Sequence, residues 1–221
     1  MKLLLDHFDT LSDQPRQLDR LRNFVLQLAV RGKLTEQNPN DEPATALLDR
    51  IRAERDRLVK EKKIRKPKKL PPVDAAEVPF VLPEGWVWVR LGEVIHFQNG
   101  FAFKSSSFSD KGVPVVRIGD IQKGKVSLQR IKRVPQEIFD QVGFQYHIEK
   151  GDILLAMSGA TTGKIGVSDL DEKVLLNQRV GKVIPFLINS KYITSFLQKT
   201  TESFLKRAWG SAQPNFFQPK F

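Results

Sequence analysis

Cysteine is absent from this 221-residue chain, which excludes disulfides and any thiolate metal site. Histidine is scarce, and His7, His96 and His147 are too scattered to suggest a metal cluster. No apolar run approaches the roughly 18 residues that a membrane-crossing helix needs. Met1-Lys-Leu-Leu-Leu5 meets Asp6 at once, short of the apolar core of a secretory signal. A cytoplasmic protein without a membrane partner is expected. Catalytic signatures are missing as well. There is no Asp/Asn-Pro-Pro-aromatic segment of the kind that adenine methyltransferases carry, Gln213-Pro-Asn-Phe216 being a distant echo. No Gly-x-Gly turn follows a strand, no acid and lysine cluster suggests a nuclease centre, and no Ser/His/Asp set is identifiable. Glu93, Asp120 and Asp152 suit turns and strand ends. A non-catalytic chain with no metal and no cofactor of its own is expected.

What the chain has is positive charge, unevenly placed. The formal net charge is +11. Residues 50–69 hold eleven Lys/Arg against three acids, a local excess of eight. Residues 1–49 carry six basic and eight acidic side chains, and residues 71–221 carry 19 and 14. Such a balance favours a polyanion, because each neutralised phosphate releases counterions. A solvated helix end and linker is the plainer alternative.

Leu18, Leu21, Val25, Leu28 and Ala29 fall at helical spacing, which predicts a helix over 15–34. Ser12 or Asp13 suits its cap, Pro15 its first turn and Gly32 its stop. A second helix is predicted over 44–62, with Leu47, Leu48, Ile51 and Leu58 on one side and arginines on the others. This pair is too small to bury both stripes alone. It packs either on the following domain or on another subunit. Leu18, Leu21, Val25, Leu28, Leu47, Ile51 and Leu58 are the candidate docking residues. Pro67, Pro71, Pro72 and Pro79 then make a stiff, extended seam. The expected division is a helical, coiled-coil-like spacer at 1–66, a Pro/Lys-rich linker at 67–80 and a β-rich domain at 81–221.

Beyond Trp86 the pattern predicts short strands and turns. Val87–Leu91 alternates, while Val113–Ile118 and Asp152–Met157 are short apolar runs. Turn signals stand at Asn99-Gly100, Lys111-Gly112, Gly119-Asp120, Lys123-Gly124 and Gly163-Lys164. Helices are predicted at Gln136–Phe139 and Ser190–Ala208. The fold class is α+β, with a mixed, mostly antiparallel sheet.

Three polar segments are candidates for nucleic-acid contact. Ser158-Gly-Ala-Thr-Thr-Gly-Lys164 resembles a phosphate loop but has only three residues between its glycines, and Ile165 follows the lysine. The nucleotide reading therefore fails. Ser158, Thr161, Thr162 and Lys164 remain as candidates for a DNA backbone, or as a plain polar hairpin. Around Gln98–Phe108, Asn99, Lys104 and Ser105 offer short donors, while Phe101, Phe103 and Phe108 suit a core better than stacking. In Leu176-Asn-Gln-Arg-Val180, Asn177 and Gln178 suit adenine and Arg179 suits guanine. Equally, one of them could satisfy strand-end backbone groups. Arg117, Lys123 and Lys125, at neighbouring turns, complete the set.

These residues also carry a family likeness. Leu21-Arg22, Gln27-Leu-Ala-Val-Arg-Gly-Lys-Leu34, Pro39-Asn-Asp-Glu-Pro43, Leu47-Leu48 and Ile51-Arg-Ala-Glu54 form the N-terminal part of the series. Leu82-Pro-Glu-Gly-Trp86, Leu91-Gly-Glu93, Gly151-Asp-Ile-Leu154, Ser158-Gly-Ala160, Gly163-Lys164, Asn177-Gln178 and Ser211-Ala-Gln213 continue it. In that order and spacing the chain resembles the specificity subunit of type I restriction-modification enzymes. The resemblance implies a target-recognition domain reading one half of a bipartite site in double-stranded DNA. It also implies helices that dock a methyltransferase subunit and, through it, a restriction and motor subunit. S-adenosylmethionine, ATP and Mg would then belong to those partners. The family pattern continues into a second spacer and a second recognition domain, whereas Phe216-Phe-Gln-Pro-Lys-Phe221 does not look like that spacer. Either a half-size subunit pairs with itself or a second chain, or the recognition domain is incomplete at its C-terminus. A truncated product would act as a decoy that holds the methyltransferase and specifies no site.

Overall fold

The computed structural model describes residues 15–208 except Lys123 and Arg130. Ser12, Asp13 and Ser211-Ala-Gln213 lie outside the described residues. The first helix, α1, spans Pro15–Val30. Its end is a Schellman motif: the Lys33 N–H donates to the Leu28 carbonyl at 2.8 Å and the Gly32 N–H to Ala29 at 3.1 Å. Gly32 sits at φ +65°, where a side chain would be strained, and a Cβ there would meet Pro83 and Trp86. Helix α2 is Ala44–Lys60, α3 is Leu91–Val94, α4 is Gln136–Gln141 and α5 is Ser190–Ala208.

Among the described residues, ten strands make two sheets. The six-stranded sheet has the order β1-β10-β7-β8-β4-β3, with β1 Ile95–Asn99, β3 Ile121–Gln122 and β4 Gly124–Val126. Its other strands are β7 Ile153–Ala156, β8 Ile165–Val167 and β10 Val180–Pro185. The four-stranded sheet has the order β5-β2-β9-β6. Its strands are β2 Val113–Val116, β5 Lys132–Val134, β6 His147–Ile148 and β9 Val174–Leu176. Pairing is antiparallel except for β2 with β9 and β4 with β8. The fold is α+β, mixed and mostly antiparallel.

The period of two along each strand sorts its side chains into layers. In β7, Ile153 and Leu155 join α2, α3 and α5 on one face, while Leu154 and Ala156 face the other sheet. In β9, Val174 and Leu176 fill the inter-sheet layer, and Leu175 lies with Phe103, Val113 and Phe139 on the outer side. Such strands read as continuous apolar runs because both their faces are buried. Lys182 lies in this interior, where its ammonium donates to the His147 carbonyl at 2.7 Å and stands 3.2 Å from Asp152.

The seam at 67–80 does not separate two cores. Leu48 and Ile51 of α2 are buried with strands of the six-stranded sheet, and Leu47 and Leu58 pack against them. At about 1.5–3 kcal/mol for each fully buried aliphatic side chain, this contact holds α2 to the sheet. The LPEGW segment closes the joint: the Ala44 N–H donates to the Gly85 carbonyl at 2.8 Å, and the Trp86 indole donates to Gln37 at 2.9 Å. Intramolecular packing thus takes Ile51 out of the docking set and partly covers Leu47 and Leu58. On α1, which packs against α5, Leu18 is 43% exposed and Leu21, Val25 and Leu28 are half-buried. Val87–Arg90, expected as a strand, is extended but pairs with no ladder, and Leu91 already opens α3.

Candidate nucleic-acid interface

Four chain segments meet at one end of the paired sheets: the exit of β1, the exit of β2, the β7–β8 turn and the β9–β10 turn. Backbone hydrogen bonds bring them together. The Phe101 N–H donates to Leu176 O at 2.8 Å and the Gly100 N–H to Val180 O at 3.1 Å. The Asn177 N–H donates to Val116 O at 3.1 Å, tying the β9–β10 turn to the end of β2. The Met157 N–H donates to Arg179 O at 3.0 Å, tying it to the end of β7. A short 3-10 turn at Ile118–Asp120 touches another at Gly159–Thr161.

These tethers set Asn99, Arg117, Ser158, Thr161, Asn177, Gln178 and Arg179 at one end of the molecule. Asn99, Gln178 and Arg179 are exposed; Arg117, Ser158, Thr161 and Asn177 are half-buried. The Arg117 Nε, Ser158 Oγ and Thr161 Oγ1 atoms have no hydrogen-bond partner within the chain, although buried polar atoms as a rule have one. Asp120 accepts the Arg117 backbone N–H at 2.9 Å, and its carboxylate stands 3.8 Å from the Arg117 guanidinium. Burial pushes the Asp120 carboxyl above its ordinary range, while the Arg117 N–H and charge pull it down. Short donors and a guanidinium on convergent loops suit hydrogen bonds to base edges and phosphates.

The remaining candidates divide. Lys164 is exposed at the close of the β7–β8 turn, its N–H bonded to Thr161 O at 3.0 Å. Thr162 is buried, and its hydroxyl donates to Gly159 O at 2.6 Å, so it shapes the turn and is not free for phosphate. Lys125 is exposed on β4, beside β8 and away from the four-loop meeting point. Lys104 and Ser105 are exposed after Phe103, whose ring is buried with Val113 and Leu175. Lys123 lies outside the described residues. Phe108 is partly buried as expected, but Phe101 reaches the surface at 37% exposure, with its ring edge-on to Phe103 and Tyr146.

Gly100 is the positional residue that pattern reading takes for a simple turn. A Cβ there would stand 2.1 Å from the Asn177 carbonyl oxygen, so β1 crosses the β9–β10 turn backbone to backbone. The available signal was glycine at a strand end, which marks close backbone approach as often as a turn. Among the described residues, no group of three or more His, Asp or Glu side chains is placed to hold a metal ion. No helix among them is long and apolar enough to cross a membrane.

Residues 83–221 match the family model described as the type I restriction modification DNA specificity domain. The specificity subunit of the EcoAI type I restriction enzyme of Escherichia coli is 40% identical over 201 residues, 87% of this chain and 34% of that protein. The EcoEI specificity subunit of the same organism is 39% identical over 205 residues, again 87% and 34%. The chain therefore spans about a third of the length of these relatives. Among solved structures, the HsdS subunit from Thermoanaerobacter tengcongensis aligns over 72% of this chain and 39% of its own, at 19% identity and a TM-score of 0.45. The chain belongs to the type I restriction-modification DNA specificity family.

Proposed function

We propose that the chain reads one half of a bipartite site in double-stranded DNA with the four-loop end of its sheets, and catalyses nothing itself. The observation that carries this reading is the convergence of Arg117, Ser158, Thr161, Asn177, Gln178 and Arg179, on segments tethered by main-chain hydrogen bonds. Main-chain tethers fix the loops and leave the side chains for readout. Asn177, Gln178 and Arg179 are the base-reading set, and Lys164 neutralises a phosphate.

The same reading gives α1 a docking role. Leu18 and Phe24 are 43% and 46% exposed on a helix that otherwise packs on α5. A methyltransferase subunit seated there would bring S-adenosylmethionine, and a restriction and motor subunit would bring ATP and Mg, in the cytoplasm. The test is selection of preferred duplexes from a randomised pool, with and without the methyltransferase subunit. Q178A and R179A should relax preference at particular base pairs by about 1–3 kcal/mol. K164A should weaken all duplexes alike and flatten the salt dependence. Methyltransferase binding without any preferred duplex would instead identify a decoy, and the DNA-reading proposal would fall.

A further inference from the structure

The excess charge of residues 50–69 resolves into two different surfaces. On α2 three of the four arginines are neutralised locally, while Arg55 is half-buried with no ion pair among the described residues. Arg50 pairs with Glu42, Arg52 with Asp49 at 2.8 Å, and Arg57 with both Glu54 at 2.7 Å and Glu61 at 2.6 Å. Lys63 takes the other oxygen of Glu61 at 2.9 Å. After that residue the acids run out. Arg65, Lys66, Lys68 and Lys69 are all exposed, and among the described residues none has an ion pair or hydrogen bond.

These four cations stand on a strap fixed at both ends. Ile64 packs against the core beside α2, and Leu70 lies so close to Gly92 that a Cβ there would be 3.0 Å from it. Just beyond, the Arg90 guanidinium donates to the carbonyls of Pro71 at 3.1 Å and Pro72 at 2.9 Å, and also pairs with Glu77. Pro67 stiffens the middle and biases Lys66 towards extended backbone. A run that served solubility alone would need no such anchors. Here the anchored ends restrict the backbone between them, which removes part of the entropy cost of binding.

We infer that this strap, Arg65–Lys69, is a second DNA contact that grips the phosphate backbone outside the bases read by the loops. The inference rests on the DNA-reading proposal for the identity of the polyanion. Its position follows from β1. Leu70 lies against Gly92 in α3, at the start of that strand, and the four-loop end lies at its finish. The five residues of β1, which lie between the Leu70 anchor and the loops, by themselves span about 13 Å, or about four base-pair steps of duplex. A flank adjoining the half-site is therefore the natural occupant.

The test uses the full chain and two duplexes of equal length, one selected by the protein and one with its sequence shuffled. Affinities are measured from about 50 to 200 mM salt for the wild type, for Arg65, Lys66, Lys68 and Lys69 all changed to Gln, and for a charge-keeping Lys/Arg exchange at the same positions. Loss of four phosphate contacts lowers the salt slope by about 3.6, so the fall in affinity over that range shrinks about 150-fold. The expected result is that loss on both duplexes in the Gln variant, an intact ratio between them, and a wild-type slope in the exchange variant. An unchanged slope in the Gln variant, with sequence preference present, overturns the strap and leaves the loop reading standing. A reduced slope in a protein with no preferred duplex supports the strap and defeats the loop reading. If the Gln variant loses the methyltransferase subunit while its DNA slope is unchanged, the strap is a protein-docking element and the inference fails.

Discussion

Replacing Gly100 by Ala tests whether main-chain crossing holds the interface together. Gly100 is not in the left-handed region, so the substitution strains no φ; the obstacle is space. The added Cβ would stand 2.1 Å from Asn177 O and 2.7 Å from Leu176 O, both backbone atoms that cannot rotate away. Relief requires moving the β1 exit off the β9–β10 turn by about 1 Å or more, since real Cβ contacts begin near 3.0 Å. That shift breaks the Gly100-to-Val180 and Phe101-to-Leu176 hydrogen bonds. Each contributes about 1 kcal/mol net, and a carbonyl left unpaired costs about 1–3 kcal/mol more. The expected loss is about 3–5 kcal/mol. Urea unfolding followed by tryptophan fluorescence measures it, and duplex selection should show preference relaxed where Asn99 and Asn177 act. Gly119 is the control: a Cβ there meets nothing within 4 Å, and G119A should change stability by less than about 0.5 kcal/mol. A G100A protein as stable and as selective as the wild type would refute the tethered-loop argument.

Two further outcomes follow from burial and charge. I51A should cost about 2–5 kcal/mol, because Ile51 is fully buried in the core; L18A should cost far less and instead weaken capture of the methyltransferase subunit. Unfolding midpoints and a pull-down separate the two, and a stable I51A protein would return α2 to the docking surface. Asp120 supplies a pH dependence. Its carboxyl is raised by burial, so the folded chain binds more protons than the unfolded chain from about pH 3.8 up to the raised value. Stability contributed by this group therefore falls as pH rises through that window. D120N should abolish that component in midpoints measured across the acid range, and an identical pH profile would count against it.

Local pattern carried much of the fold. The helix at Ser190–Ala208 matches its expected bounds, and the apolar run at Asp152–Met157 became β7 because both its faces are covered. Pattern did not say what an amphipathic face packs against. The α2 stripe met its own sheet, so Leu48 and Ile51 went to the core and Leu47 and Leu58 to its margin. The alternation at Val87–Leu91 gave an extended segment without a partner, since a ladder needs a neighbouring strand that periodicity does not specify. Thr162 could not be separated from Thr161 by composition; the turn bends one hydroxyl inward and leaves the other without an internal partner. The meeting of four loops depends in part on β2 lying parallel to β9, a pairing between residues far apart in the chain. No local signal encodes it.

The hydrogen bonds that join the four loops run from main-chain amides to main-chain carbonyls. A peptide group is the same whatever side chain it bears, so the frame places little demand on the identity of Gln178 or Arg179, both exposed at the β9–β10 tip. Those positions can drift singly, each intermediate still folded, while Gly100 cannot. On the proposed DNA-reading role, such a molecule would change its preferred DNA word by small, survivable steps, without rebuilding the architecture that presents it.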